Sequence, residues 1–131
     1  MKDLLTAVIA AVEAEGAQLA AEFLKPDGPR GRRGSAPIDT EIEERLREKL
    51  QALVPCTFVG EETGISEKAG DSVWLVDPHD GTSEFTGGRR GSAVSVALLR
   101  NRIPVLGVVC SPLSPDRGRD TIAWAEGAGP L

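Results

Sequence analysis

The chain has 131 residues, enough for about one domain with a modest hydrophobic core, and its formal net charge is −5 at pH 7. That charge argues against a nucleic-acid polymer as a partner, and an aromatic content of 4% without tyrosine provides few side chains for base stacking. No apolar stretch is expected to reach the length of a membrane span, and no signal-peptide pattern follows Lys2. We therefore predict a cytoplasmic protein without a membrane partner, in which Cys56 and Cys110 are free thiols.

Two amphipathic helices are predicted at the start of the chain. Residues 3 to 24 carry apolar side chains at helical spacing, with Asp3 as a possible N-cap. Residues 40 to 54 show the same periodicity, and Thr40 and Glu43 have the separation of a capping box.

The segment between the helices, residues 25 to 38, is rich in glycine, proline and basic residues. Two interpretations are open for it: a solvated linker, or a mobile basic loop that closes over an anionic substrate. Asp39 follows directly. Its carboxylate either caps the second helix or contributes to a functional site.

Two short apolar strands are predicted to end in acidic residues. Residues 57 to 59 lead into a glycine and Glu61, and residues 73 to 76 lead into Asp77 and Asp80. Carboxylate oxygens are the ligands that Mg²⁺ prefers. Two strands that deliver acids at their carboxyl ends can converge on one pocket, so these residues are candidates for a metal site.

The turn after the second acidic strand adds groups suited to an anion. Gly81 lets the backbone approach a phosphate closely, and the hydroxyl of Thr82 can orient a water molecule. The same residues also fit an ordinary Asp/Pro/Gly-rich turn. His79 is the only histidine and lies between the two aspartates, which makes it a further candidate.

Antiparallel strands are predicted beyond this turn. Residues 93 to 99 alternate around apolar positions, residues 103 to 109 return after a short turn, and residues 121 to 125 could add another strand. Two helices followed by several strands indicate an α+β fold, in which the helices pack on one face of a mainly antiparallel sheet. We predict a single domain over residues 1–131.

The acidic motifs resemble those of a known family. Gly-Glu-Glu at 60 to 62, followed by Trp-Leu-Val-Asp-Pro-His-Asp-Gly-Thr at 74 to 82, is similar to the inositol monophosphatase superfamily of Mg²⁺-dependent, lithium-sensitive phosphomonoesterases. Within it, residues 80 to 85 and 104 to 109 look most like the 3′(2′),5′-bisphosphate nucleotidases, although that branch usually has lysine in place of Ser83. The resemblance implies the amino-terminal half of an inositol-monophosphatase-like fold.

The resemblance also implies a ligand set for Mg²⁺. Glu61, Asp77 and Asp80 would supply carboxylates, and His79 would supply its main-chain carbonyl oxygen. The family usually has an aliphatic residue at the histidine position, so the imidazole is expected to be a tolerated variant. An aspartate near the position of Asp39 often contributes to a third metal site.

Catalytic and substrate-binding roles follow from the same resemblance. Glu61, Asp77 and Thr82 would be catalytic, with Thr82 paired to Glu61 so that the two orient the attacking water. The residues expected to contact the substrate phosphate are Gly81, Thr82 and Ser83. The implied substrate is a small phosphorylated metabolite, either a 3′(2′),5′-bisphosphate nucleotide or an inositol phosphate.

Members of the superfamily are about twice as long as this chain, and their Trp-Asp metal motif is not found here. The chain is therefore expected to be a fragment, a truncated product, or a half-site that needs a second copy or a carboxy-terminal half. An exposed apolar surface is expected in that case, lined by Val94, Val96, Val105 and Leu106.

Three functions are compatible with the sequence. The first is a phosphatase of this superfamily, and the second is a binding or regulatory module that retains the acidic pocket without turnover. The third is a structural domain whose acids bind Ca²⁺ in a turn. The upstream acidic motif, at Glu61 and Glu62, argues against the calcium-binding structural domain, because a simple calcium loop does not need a separate pair of acids.

Overall fold

In the described part of the chain, two helices pack on one face of a six-stranded sheet. The computed structural model describes residues 1–26, 37–80, 92–112 and 120–127, with Asp80 described through its main chain only. The elements are α1 Lys2–Phe23, α2 Pro37–Leu53, β1 Thr57–Gly60, β2 Gly64–Ser66, β3 Ser72–Asp80, β4 Ala93–Arg100, β5 Ile103–Ser111 and β6 Asp120–Ala125.

The sheet is mixed but mainly antiparallel. Its strand order is β2-β1-β3-β4-β5-β6, and the pair β1 and β3 is parallel while the other neighbours are antiparallel. The predicted α+β class, with two helices on a mainly antiparallel sheet, is thereby confirmed.

The hydrophobic core lies between the helices and one face of the sheet. Alternate residues of β4 are buried, as expected for a strand with one covered face. They form one cluster with the apolar side chains of both helices and of the neighbouring strands, including Leu5, Val12, Ile42, Leu46, Phe58, Trp74, Val94, Val96, Leu98 and Leu106. Both cysteines are free, as predicted, and both are buried.

The expected exposed surface was placed on the wrong face of the sheet. Val94, Val96, Val105 and Leu106 are all buried in the core. Most of the exposed apolar side chains of the sheet point to the opposite face, because side chains alternate between the faces of a strand. We call this opposite face, defined by Leu75, Ala97, Val109, Ile122 and Trp124, the open face.

The open face is continuous across four strands. In one row Leu75 pairs with Ala97, which is followed by Gly107 and Trp124 on the next two strands. Trp124 is 50% exposed, and a side chain at Gly107 would meet no other atom of the described protein. The result is an apolar surface without a covering layer among the described residues.

Both predicted helix starts need correction. The residue before α1 is Met1, which makes no side-chain capping bond, so Asp3 lies inside the first turn and is not the N-cap. The second helix begins at Pro37, where the fixed φ of proline suits a helical start. Thr40 therefore lies inside α2, and Glu43 is fully buried with other partners, which excludes the capping box.

One described helix is long and apolar enough to cross a membrane by length and composition. That helix is α1, so the expectation that no stretch reaches this length is wrong. The finding is weak evidence for a membrane segment, because a core helix of a soluble protein passes the same test. In this structure Leu5, Val8, Val12 and Leu19 of α1 are buried in the hydrophobic core.

Candidate active site

The acidic residues meet because β1 and β3 are parallel neighbours. Gly60, the last residue of β1, pairs with Val76, so Glu61 and Asp77 follow at the same edge of the sheet. Asp39 reaches that edge from the first turn of α2, where the helix dipole favours a negative charge. We call the carboxylates of Asp39, Glu61, Glu62 and Asp77 the acidic edge.

The crowding of carboxylates at the acidic edge raises the pKa values of two of its members, Glu61 and Glu62. The pKa of Glu61 is raised, first by a hydrogen bond with the Asp77 carboxylate and by the charge of that group, then by desolvation and by the charges of Glu62 and Asp39. The pKa of Glu62 is raised by desolvation and then by the charges of Asp39, Glu43 and Asp77. A site that crowds carboxylates in this way binds a cation favourably, because the cation neutralises their repulsion.

A β-bulge shapes the strand that carries Asp77. The β3–β4 register pairs Asp77 with Ser95 and Asp80 with Ala93, so three steps along β3 oppose two along β4. The extra residue lies in the Pro78-His79 stretch, where proline has no N–H for the sheet. The amide N–H of His79 instead donates to Oδ1 of Asp77 at 3.1 Å, which restrains that carboxylate.

The imidazole of His79 has more partners than a merely tolerated substitution would. It is buried, with Nδ1 at 2.6 Å from Oδ1 of Asp39 and Nε2 at 3.0 Å from Oγ of Ser92. Asp39 is buried as well, so its carboxylate joins the acidic edge to this ring. The sequence pattern gave no indication of this contact, since Asp39 and His79 are forty residues apart.

Glu43 anchors the turn that carries Glu61. Its buried carboxylate accepts hydrogen bonds from the amides of Glu62, at 3.0 Å to Oε1, and of Thr63. A side chain at Gly60 would overlap this carboxyl group, which explains glycine at the start of the Gly-Glu-Glu motif. Arg47, one turn further along α2, donates to the Thr63 hydroxyl and, at 3.2 Å, to the carbonyl oxygen of Gly64.

The sequence contained a signal for this anchor. Glu43 lies beside Ile42 on the apolar stripe of α2, and an acid on the buried face of a helix requires hydrogen-bond donors.

Several predicted site residues lie outside the described part of the chain. These are Gly81, Thr82 and Ser83, together with the side chain of Asp80. Among the side chains that the structure does describe, no three from His, Cys, Asp and Glu are arranged to hold a metal ion. The structure brings Glu61 and Asp77 together, and the catalytic, metal and substrate roles assigned to the site residues stay predictions.

A groove connects the acidic edge to the open face. It has a volume of about 410 Å³ and is lined by Glu61 and Asp77 at one end and by Leu75 and Ala97 at the other. An apolar groove with a few convergent charged groups is the usual setting of a small-molecule site. A molecule placed here would have the carboxylates at its end and an apolar wall along its side.

Sequence comparison identifies the family. The sequence pattern of the inositol monophosphatase family matches residues 7–129, so the chain belongs to that family. The family predicted from the two acidic motifs is confirmed.

Individual relatives agree with this assignment. The chain is 34% identical over 92 residues to a fructose-1,6-bisphosphatase/inositol-1-monophosphatase of Thermotoga maritima, covering 70% of this chain and 34% of the relative. It is 31% identical over 118 residues to a 3′(2′),5′-bisphosphate nucleotidase CysQ of Aggregatibacter actinomycetemcomitans, covering 84% of this chain and 44% of that one.

The fold comparison finds the same architecture in a solved structure. The structure superposes on the extragenic suppressor protein SuhB of Bartonella henselae with a TM-score of 0.81 at 23% identity, over 97% of this chain and 50% of that chain. The matched region thus spans about a third to a half of the length of these relatives.

Proposed function

We propose that this protein is a Mg²⁺-dependent phosphomonoesterase that hydrolyses a small phosphorylated metabolite. The observation that carries the proposal is the pair Glu61 and Asp77, whose carboxylates meet at adjacent strand ends in a chain of the inositol monophosphatase family. The relatives named above are phosphatases. The proposed substrates are a 3′(2′),5′-bisphosphate nucleotide or an inositol phosphate.

The donor set fits a hard divalent cation. Glu61 and Asp77 offer carboxylate oxygens in mutual contact, and the pKa of Glu61 is raised by its hydrogen bond with Asp77 and by the charge of that group. The main-chain carbonyl of His79 and the carboxylate of Asp80, two and three residues beyond Asp77, complete the proposed ligands. Oxygen donors of this kind select Mg²⁺ over softer metals. When bound, the ion neutralises the phosphate and makes water a better nucleophile.

The protein residues then orient the reactants. The Asp77 carboxylate is held in place by the His79 amide, and Glu61 would direct the attacking water together with the Thr82 hydroxyl. The Gly81 and Thr82 amides, with Ser83 beside them, would hold the phosphate oxygens. Direct attack by water requires no enzyme nucleophile.

Two side chains that could replace water as the nucleophile, Cys56 and His79, are disfavoured. Desolvation raises the pKa of the buried Cys56 thiol, which disfavours the reactive thiolate. The His79 ring is occupied by Asp39 and Ser92.

The direct test is an assay of the full-length gene product. With Mg²⁺ present, we expect phosphate release from a bisphosphate nucleotide or an inositol phosphate, and inhibition by lithium in the millimolar range. Fructose 1,6-bisphosphate belongs in the same panel because a relative is named for it. Absence of Mg²⁺-stimulated release across the panel would refute the proposed activity.

A second candidate is a metal-binding or regulatory module without turnover of its own. The observation that favours it is the open face, which no described residue covers. In this case the 131-residue chain binds Mg²⁺ weakly, and a second copy or a complementing carboxy-terminal half covers the open face. We also propose a cytoplasmic location, with neither a membrane nor a nucleic-acid polymer as partner.

Self-association of the 131-residue chain tests the role of the open face. Because exposed apolar area tends to be covered, we expect oligomers in sedimentation velocity experiments, and Ile122→Thr should shift them toward monomer. Ile103→Thr is the matched control, since Ile103 is 63% exposed but pairs with Arg100 on the other face of the sheet, while Ile122 is 69% exposed on the open face. Equal behaviour of the two variants, or a monomer with efficient phosphatase activity, would contradict this role.

A further inference from the structure

A chain of hydrogen bonds, buried over most of its length, runs from α2 through β3 and the residue before β4 to β5. His79 contacts Asp39 through Nδ1 and Ser92 through Nε2, at 2.6 and 3.0 Å. The carbonyl oxygen of Ser92 accepts a hydrogen bond from the Ser111 hydroxyl at 3.0 Å, which extends the chain to β5. His79 and Asp39 are 3% exposed, and Ser92 is 1% exposed.

The chemistry of the partners defines the direction of these bonds. An ionised carboxylate only accepts hydrogen bonds, so Nδ1 of His79 is the donor to Asp39. In the neutral ring Nε2 is then an acceptor, and the Ser92 hydroxyl donates to it. Two bonds to two different elements fix the plane of the ring, and the fixed ring restrains the Asp39 carboxylate.

His79 contacts two carboxylates of the acidic edge, those of Asp77 and Asp39. The main-chain N–H of His79 donates to the Asp77 carboxylate, while its ring donates to Asp39. Asp39 in turn lies within electrostatic reach of Glu61 and Glu62, because its charge raises the pKa of both. A change in the position of the ring would therefore move the Asp39 carboxylate, whose charge acts on Glu61 and Glu62.

Asp39, His79 and Ser92 are connected as in a catalytic triad, but Ser92 is not available as a nucleophile. The hydroxyl of Ser92 is buried, so a substrate in solvent does not reach it. The Nδ1 side of the ring is closed by a carboxylate that is buried as well. The network therefore restrains groups and does not react.

We propose that the His79 imidazole is a positioning residue that holds the Asp39 carboxylate at the acidic edge and thereby strengthens divalent-cation binding there. The inference rests on the proposed function, because it assumes that the acidic edge binds a cation. The proposed function uses only the main-chain carbonyl of His79 as a metal ligand, and the inference adds a role for the imidazole. Hydrogen-bonding groups behind metal ligands typically contribute ten- to a hundredfold in affinity.

The test compares His79→Leu with His79→Asn in the full-length gene product, using Mn²⁺ as the probe. Mn²⁺ binding is measured by electron paramagnetic resonance and folding by circular dichroism. His79→Leu removes both ring hydrogen bonds, and we expect it to weaken Mn²⁺ binding about tenfold. The amide nitrogen of asparagine can donate from near the position of Nδ1, so His79→Asn should retain an affinity close to that of the unaltered protein. Both variants keep the main-chain carbonyl and amide.

The outcomes separate a positioning role from a structural one. If His79→Leu loses thermal stability but binds Mn²⁺ as tightly as before, or more tightly, the proposal is overturned. If His79→Leu does not fold, Ser92→Ala decides, because it removes only the partner of Nε2 and should weaken Mn²⁺ binding to a smaller extent; unchanged affinity then overturns the proposal. Failure of the unaltered protein to bind Mn²⁺ would instead refute the proposed metal site and this inference together.

Discussion

Asp77→Asn in the full-length gene product is expected to lower Mg²⁺-dependent phosphate release by about a thousandfold or more, because a metal ligand supplies several kcal/mol of transition-state stabilisation. The substitution removes a negative charge where Glu61 and Asp77 meet, and so weakens the attraction for the cation. Asparagine has nearly the same shape, and its Oδ1 can still accept the hydrogen bond from the His79 amide. The fold should therefore be retained while turnover is lost.

Asp71→Asn is the matched control for this experiment. Asp71 is exposed and precedes β3 at the end of the strand opposite to Asp77, so the change of charge and of atoms is the same. We expect its turnover and its Mg²⁺ dissociation constant to equal those of the unaltered protein. Undiminished turnover in Asp77→Asn would exclude the proposed role of this carboxylate.

The pH dependence of stability provides a second measurement on the same variant. The pKa of Glu61 is raised in the folded protein, chiefly by Asp77, so the folded state holds this proton more tightly than the unfolded state. Stability therefore falls as pH rises from the ordinary glutamate pKa through the raised pKa, and the penalty is fully present above the raised pKa. It is absent below the ordinary glutamate pKa.

Asp77→Asn removes the first cause of the shift. In a metal chelator at neutral pH we expect its stability to match that of the unaltered protein or to exceed it by less than about 1 kcal/mol, the usual scale for exposed charge pairs. Thermal unfolding between pH 4 and pH 8 measures the effect, which should disappear at the acidic end. A clear loss of stability at neutral pH would show that Asp77 supports the fold in other ways.

Local patterns were sufficient for the fold class. Alternating apolar residues predicted β4 and β5, and helical spacing predicted both helices, because burial of one face imposes these periods on the sequence. The same patterns did not indicate which face of the sheet the helices cover. Val94 and Trp124 are both apolar residues on strands, and only the tertiary arrangement decides that the first is buried and the second half exposed.

The candidate site was predictable where its residues are close in sequence. Glu61 follows β1 directly and Asp77 lies within β3, beyond its apolar run, and parallel pairing of these strands brings the two together. The contact between Asp39 and His79 joins residues on two elements, and nothing local to either residue indicates the other. Glu43 was assigned to a capping box from its spacing to Thr40, because local rules do not register that α2 begins at Pro37.

Glu43→Ala is expected to lower the free energy of unfolding by about 2–4 kcal/mol, since it leaves buried amide groups without their acceptor and opens a cavity. The amides concerned belong to Glu62 and Thr63, in the turn that carries Glu61. Chemical denaturation measures the stability, and Glu44→Ala is the control because Glu44 is the exposed neighbour on the same helix. A loss no larger than that of Glu44→Ala would show that the amides find other acceptors.

A double-substitution cycle with Gly60 examines the same contact more specifically. Gly60→Ala alone should be destabilising, because the new methyl group would overlap the Glu43 carboxyl group. In the Glu43→Ala background that overlap is gone, so the same methyl group should be accommodated with little further loss. Residues in contact typically show coupling free energies of about 0.5–3 kcal/mol, and we expect a value in that range. Additive effects of the two substitutions would contradict an overlap between the added methyl group and the Glu43 carboxyl group.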